Sequence, residues 1–427
     1  QGRWLAMPPL NFGGQWGDLL YNHADFGTFF LLPIYALFPD AKTLLVLQAL
    51  FVAGAAWPLY LFARSRLSGG LAMAVAVAWL AYAPMHAAQL YDFHWQLIAA
   101  SLVIGAFAAV EHRRWSAYWV CFTLAILCRE DVSIGLTALG LYLFLSGERP
   151  KTGIASVVVA LTYFVIIRFV VMRNTGFAGA HYQSLQAPDE PGGFGSVLKT
   201  MISNPAFALK SVLTWEKLRY VAQLFAPLAF LPLRRGWLWL LLIPGVFLTL
   251  ITSGPLPPIQ ISFQYVANWA AYLFPALVIV LGGYAASPDG VVKRRAALVA
   301  LACGTLVAAV QWGAYSPRGV IHGGFADVPL QRPSEADYQR AASLRELLAL
   351  VPPEVVLCTS ERIQPHTTSV HVEQRTLRSG LRECEYLLWS SMRGDHGAEN
   401  AMRGVGSGEF ELVLRQGDVA LAKKKRP

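Results

Sequence analysis

Arg129-Glu130-Asp131 places three charges in succession within an apolar stretch that runs from Trp115 to Leu145. Even lenient insertion scales set the cost of one such residue at mid-bilayer at about 2.5–3.5 kcal/mol. The triplet must therefore lie in a polar cavity or at a helix turn that water reaches. Two more polar clusters, Asn22-His23-Ala24-Asp25 and Tyr91-Asp92-Phe93-His94, also interrupt apolar sequence. Together the three supply carboxylates that can take a proton (Asp25, Asp92, Glu130, Asp131), two imidazoles, and a guanidinium at Arg129 suited to a phosphate. Asp25 and Asp92 are the candidate bases, and Glu130 and Asp131 complete the candidate catalytic set. His23, His94, Arg129, Arg168 and Tyr265 are the candidate substrate-binding residues. Histidines and carboxylates together could also hold a divalent metal such as Mg or Mn, although no tight ligand spacing of the His-x-x-x-His kind occurs. The plainer reading makes Asp92 the cap of the helix after it and Glu130 or Asp131 the cap of the helix from 132 onward. Arg168 would then only snorkel to the membrane interface.

The elements that must position these residues are membrane helices. The chain has 427 residues, of which 55% are hydrophobic and 14% charged, with a mean hydropathy of +0.44. Soluble domains carry about 25% charged residues, so this is an integral membrane protein. Its net charge of +9 does not indicate nucleic acid, because no folded basic face is visible and Lys423-Lys424-Lys425-Arg426 is only a short tail. Residues 1–40 read as an extracytoplasmic loop followed by an interfacial helix, since Thr28 to Phe38 is too short to span and contains Pro33. Residues 41–315 read as the transmembrane domain, with about ten spans: 42–64, 70–84, 95–111, 115–128, 132–146, 152–172, 218–233, 237–253, 267–285 and 296–314.

Orientation follows from the turns. Alternate connections carry Arg64/Arg66, Arg113/Arg114, Arg149/Lys151, Arg234/Arg235 and Lys293/Arg294/Arg295, whereas 85–94 and 254–266 carry no Lys or Arg. By the positive-inside rule the basic turns are cytoplasmic and both chain ends lie outside. Arg129-Glu130-Asp131 then falls at an outer turn between two arms of about 14 residues, each rising about 21 Å. A hydrocarbon core is about 30 Å thick, so the turn is expected to be recessed. A start at Gln1 on the outer side with no signal peptide predicts a helix upstream of this sequence.

From 316 to 427 the character changes to a small extracytoplasmic α/β domain. Ser334–Leu350 has helical periodicity with Ser334 as N-cap and Pro352-Pro353 as the stop. Strands are expected at 354–359, 385–389, 409–415 and 419–423, the last two around Gln416-Gly417-Asp418. Cys358 and Cys384 could pair if this domain is outside.

Several stretches carry a family resemblance. They are His23 and the run to Pro33-Ile34-Tyr35-Ala36-Leu37-Phe38-Pro39, then Thr43-Leu44-Leu45-Val46-Leu47-Gln48-Ala49, Pro58-Leu59-Tyr60-Leu61, Tyr91-Asp92-Phe93-His94 and Arg129-Glu130-Asp131. Over most of residues 20–285 the chain resembles the prokaryotic membrane proteins of domain of unknown function 2079. That family is similar in layout to the GT-C polytopic glycosyltransferases, so the resemblance implies outer-face catalysis with a polyprenyl-phosphate-linked sugar as donor. In GT-C enzymes the key carboxylate usually follows the first transmembrane helix, which would precede Gln1 here. The family usually has Ser-Pro after its His-Phe pair, whereas here Ala24-Asp25-Phe26 follows His23, so Asp25 as a base is a reading of this sequence alone.

The sequence thus points to an all-α polytopic membrane bundle, GT-C-like, with a small C-terminal extracytoplasmic α/β domain, in the inner (plasma) membrane. The expected activity is transfer of a sugar from a polyprenyl-phosphate donor to an outer-face acceptor, with the lipid bilayer and that donor as partners and no nucleic acid. A lipid or solute transporter and a non-catalytic assembly protein are the alternatives.

Overall fold

A computed structural model describes residues 6–7, 17–18, 23–172, 182, 185, 194–252, 258–284, 289–322, 327–330, 332–367, 372–392, 395 and 397–425. The chain forms two compact units, one of Asn22–Phe30 with Leu45–Gln331 and one of Gln1–Tyr21, Leu31–Leu44 and Arg332–Pro427. The sequence also places a long outer loop from Asn174 to Glu216, and its polar residues His181, Asp189 and Glu190 lie outside the described residues.

The helices, in chain order, are α1 (Thr28–Leu37), α2 (Ala41–Gly54), α3 (Ala56–Arg64), α4 (Gly69–Leu80), α5 (Ala83–Tyr91), α6 (Trp95–Glu111), α7 (Trp115–Cys128), α8 (Val132–Leu145) and α9 (Pro150–Val165). A π-helical turn, Ile166–Val171, extends α9. Later come Trp215–Phe225, Ala267–Gly283 and Gly290–Trp312.

The expectation of ten spans is not met. Among the described residues four helices are long and apolar enough to cross a membrane: Ala41–Arg64, Pro150–Val171, Gln264–Gly283 and Gly290–Trp312. A fifth arises if α4 and α5, bent by 41°, count as one. Prolines explain much of the difference. Pro84 opens α5 after the bend, and the runs near 218–233 and 237–253 break into short 3-10 and π segments around Pro227, Pro232 and Pro244. A proline removes a backbone donor and crowds the preceding turn. Apolar runs mark hydrophobic surroundings but do not guarantee an unbroken helix. Lys293, Arg294 and Arg295, expected in a turn, lie in the first turns of the Gly290–Trp312 helix.

The four long spans have different surroundings. Gln264–Gly283 has 89% of its apolar window buried, whereas the other three have 17–28%. The first is the centre of the bundle, packed against α3, α4 and α6. Phe274 meets Trp79 and Tyr82 edge-on there, with ring centroids 5.1 and 5.2 Å apart. The other spans leave Leu45, Val46, Val158, Val170, Val299 and Leu306 exposed, as lipid contact allows.

α7 and α8 form a hairpin of two 14-residue arms. α8 runs beside α9, and the two backbones meet at Gly140 and Gly153. A Cβ on Gly153 would stand 2.6 Å from the Gly140 carbonyl oxygen, and one on Gly140 2.8 Å from the Gly153 carbonyl. α8 ends and α9 begins at the turn of residues 146–149, but α9 with its π turn has 22 residues against 14 in α8. It therefore extends about 12 Å past the beginning of α8. The Arg129-Glu130-Asp131 turn is recessed to that extent against its own neighbour.

The other unit carries a five-stranded sheet in the order Glu373–Thr376, Val356–Thr359, Tyr386–Ser390, Val419–Lys424, Phe410–Gln416. The first three strands are parallel, and the last two join antiparallel through the turn at Gly417. Helix Glu335–Ala349 begins with a capping box in which Ser334 and Asp337 satisfy each other's backbone N–H. Arg340 on it reaches Asp418 at 2.7 Å. The expected helix and four strands are present. The strand Glu373–Thr376 and the helix Ala398–Gly406 were not expected. Cys358 and Cys384 form a disulfide.

Candidate functional site

The turn between α7 and α8 captures a segment more than a hundred residues upstream. Glu130 Oε1 lies 2.8 Å from His23 Nδ1, and its Oε2 accepts a 2.9 Å hydrogen bond from the Ala24 amide. The Gly27 amide donates to the Leu127 carbonyl at 2.6 Å. Gly27 is required by close approach, since a Cβ there would stand 2.8 Å from the Trp95 ring. This anchoring brings Asp25 over the turn.

Neither carboxylate of the triplet acts as a helix cap. Asp131 occupies the N-cap position of α8 without a side-chain capping bond, and Glu130 is committed to His23 and Ala24. Instead the Ser133 hydroxyl donates to the Glu130 carbonyl. Arg129, Glu130 and Asp131 are all buried, at 7%, 8% and 8% exposure. Arg129 Nε faces Asp131 Oδ2 at 3.4 Å, an ion pair without a hydrogen bond. Tyr265, at the start of the central helix, brings its hydroxyl against the Arg129 guanidinium.

Electrostatics separate the two loop carboxylates. Burial alone would raise Glu130, but the hydrogen bond and charge of His23, the charge of Arg129 and the Ala24 amide hold its pKa down to about 2. Asp25 is raised to about 6, because burial outweighs the attraction of His23 and Arg129 and because Glu130 and Asp131 repel its charge. One is a fixed anion; the other is poised near neutrality. That pairing of environments is how acid–base sites are made.

Among the described residues, six buried polar atoms on five residues of this neighbourhood have no hydrogen-bond partner: Asp25 Oδ1, Arg129 Nε, Asp131 Oδ1, Tyr163 Oη and both amide atoms of Gln96. Gln96 lies beside Asp131, and Tyr163 on α9 is within electrostatic reach of Asp25, Glu130 and Cys128. Buried polar groups are normally paired. A concentration of unpaired ones around a single charge cluster is hydrogen-bonding capacity for a polar ligand or for water.

The structure therefore gathers His23, Asp25, Arg129, Glu130 and Asp131, with Tyr265 against Arg129 and His94 within the field of Arg129 and His23. Asp92 is exposed and joined less directly. Its Oδ1 accepts from the Phe93 amide at 2.7 Å, and its charge acts on His94. Arg168 turns back to the Met172 carbonyl at 3.0 Å at the end of its own span.

Gln48, part of the family-like stretch from Thr43 to Ala49, has no role legible in the sequence. Wholly buried in α2, it donates to the carbonyls of Gln89 (3.4 Å) and Asp92 (3.1 Å) and accepts from the His94 amide (2.6 Å), which fixes the Asp92–His94 turn. Gln96 and Tyr163 were missed as well. Their signal was an isolated polar group inside an apolar helix.

Among the described residues no three His, Cys, Asp or Glu side chains are placed to hold a metal ion. His23 and Glu130 bind each other, and Asp131 faces Arg129, so this donor set does not fit a resident divalent cation.

Long apolar helices around a recessed, buried charge cluster define a polytopic membrane protein. The chain belongs to the family described as predicted membrane protein (DUF2079), whose profile matches residues 6–385. No curated protein matches it.

Proposed function

We propose that the protein is a GT-C-like glycosyltransferase that moves a sugar from a polyprenyl-phosphate donor to an acceptor outside the cytoplasmic membrane. One observation carries this reading: buried polar atoms of Asp25, Arg129, Asp131, Tyr163 and Gln96, without a hydrogen-bond partner among the described residues, gather at a charge cluster in which burial raises the Asp25 carboxyl to about 6. A general base works best with a pKa near the ambient pH. Asp25 takes the acceptor hydroxyl proton as the acceptor oxygen bonds to the anomeric carbon. The bond from that carbon to the phosphate oxygen breaks, and polyprenyl phosphate leaves with its electron pair. Arg129, oriented by Asp131 and Tyr265, offsets the phosphate charge, while Glu130 and His23 keep Asp25 in place. His94, on the turn fixed by Gln48, binds the donor or the acceptor.

The alternation of basic turns supports an outward-facing cluster and a C-terminal domain outside the cytoplasm. The Cys358–Cys384 disulfide suits that side.

The test is donor turnover in proteoliposomes given polyprenyl-phosphate-linked [14C]mannose, glucose or arabinose together with a lipid extract as acceptor. Release of polyprenyl phosphate is expected from wild type and should fall about 10²-fold or more in Asp25→Asn. Consumption of no donor, or equal turnover by Asp25→Asn, ends the reading. The bent α4–α5 pair and the two π turns favour a transporter as the second reading, because broken helices form transport sites. Asp25-dependent solute flux without donor cleavage would select it.

A further inference from the structure

Apart from the charge cluster, the membrane unit has a half-open groove of about 390 Å³, within the range of ligand sites. Phe51, Gly54 and Pro58 of the α2–α3 segment form one wall, and Leu102, Gly105 and Cys121 of α6 and α7 the other. The lining is mainly apolar, yet His112 and Arg114 belong to it. Both are exposed, in the turn between α6 and α7. Arg114 is the N-cap residue of the 14-residue α7, which has no side-chain cap. Glu111, the carboxylate closest in sequence, is held by Arg66 at 2.7 and 3.1 Å and by Ser65 at 3.0 Å. No carboxylate among the described residues pairs with Arg113 or Arg114. An apolar channel thus ends at an uncompensated positive charge beside a helix N-terminus, where anions are favoured.

We propose that this groove is a binding site for an anionic glycerophospholipid. One acyl chain lies between the α2–α3 segment, α6 and α7, and the phosphate lies at Arg114 and the α7 amides, next to His112, whose Nε2 lies 3.2 Å from the Leu61 carbonyl. Charge complementarity selects this occupant, because basic pockets between membrane helices bind anionic headgroups. A zwitterionic lipid would leave Arg113 and Arg114 uncompensated in part. A protein partner would have to bury both.

The experiment is native mass spectrometry of the full chain in detergent, titrated with phosphatidylglycerol or with phosphatidylcholine of the same chains. Wild type is expected to bind phosphatidylglycerol about tenfold more tightly. Arg113→Gln with Arg114→Gln should reduce that preference to about twofold or less, while Arg294→Gln with Arg295→Gln leaves it unchanged. Gly54→Phe should lower binding of both lipids about tenfold. A Cβ at Gly54, which lines the groove, meets nothing within 4 Å, so the new side chain starts from open space. Gly54→Leu serves if the larger residue impairs folding, judged by the thermal midpoint. Equal affinity of wild type for the two lipids overturns the proposal. So does wild-type retention by both Gly54 variants, or a stable complex of two chains that covers the groove without lipid.

Discussion

At the residue scale the site rests on two carboxylates with opposite roles, and each makes a measurable claim about pH. The folded protein holds the Asp25 proton up to about pH 6, whereas the unfolded chain releases it near 3.8. Stability from this group therefore falls as pH rises from about 4 through 6 and stays low above that. Two pKa units correspond to about 2–3 kcal/mol. Asp25→Asn should accordingly unfold at a higher temperature than wild type at pH 8, and the gap should close near pH 4. A gap that is constant with pH would mean Asp25 ionises as an ordinary surface carboxylate. Glu130 has the reverse sign: its pKa is lowered, so its contribution is full above about 4.5 and is lost as pH falls through about 2. Breaking a buried pair from one side costs about 3–5 kcal/mol. Glu130→Gln keeps an acceptor for the Ala24 amide, so about 2–3 kcal/mol is expected for it in denaturant titration, with faster proteolysis near His23. A loss under about 0.5 kcal/mol would show that the loop docks by other means. His23, Asp25 and the triplet were legible because clustered charge has no place in lipid. Gln48, Gln96 and Tyr163 were not, because a single polar residue in an apolar helix has no spacing that reveals its partner.

At the element scale the recess of the turn depends on how α8 meets α9. The two 14-residue arms follow directly from the apolar runs on either side of Cys128-Arg129-Glu130-Asp131. What the sequence did not reveal is the crossing at Gly140 and Gly153, because either glycine alone looks like an ordinary small residue in a membrane helix. Backbone faces backbone there, so an added methyl group cannot be relieved by a rotamer change. Gly153→Ala should cost about 1–3 kcal/mol and shift α8, and with it Arg129 and Asp131, relative to Tyr163. Gly54→Ala, in open space, should be within about 0.5 kcal/mol of wild type. If both variants have the same thermal midpoint, the α8–α9 contact is looser than the glycine geometry implies. The broken spans failed in sequence for a related reason. Hydropathy averages over a window and does not register that Pro227, Pro232 or Pro244 interrupts the helix inside it.

At the scale of the whole molecule, charge alternation and cysteine pairing are two independent arguments for the proposed sidedness. The alternation is a reading of the sequence alone, and one of its basic groups, Lys293-Arg294-Arg295, lies inside a helix rather than in a turn. The disulfide was open, because two thiols 26 residues apart become partners only when the parallel strand Val356–Thr359 and the segment before Tyr386–Ser390 come together. Closing a loop of that length removes enough unfolded-chain entropy for about 3–4 kcal/mol of stability. That contribution exists only where the bond is kept oxidised, outside the cytoplasm. The proposed topology therefore predicts two results together. A C-terminal alkaline phosphatase fusion should be active and a C-terminal green fluorescent protein fusion dark. Reductant, or Cys358→Ser with Cys384→Ser, should lower the melting transition of the C-terminal unit by roughly 10 °C or more, as expected for a domain near 100 residues. Bright fluorescence with free thiols at both positions in cells would reverse the topology, and would move the Asp25–Arg129 cluster to the cytoplasmic side of the membrane.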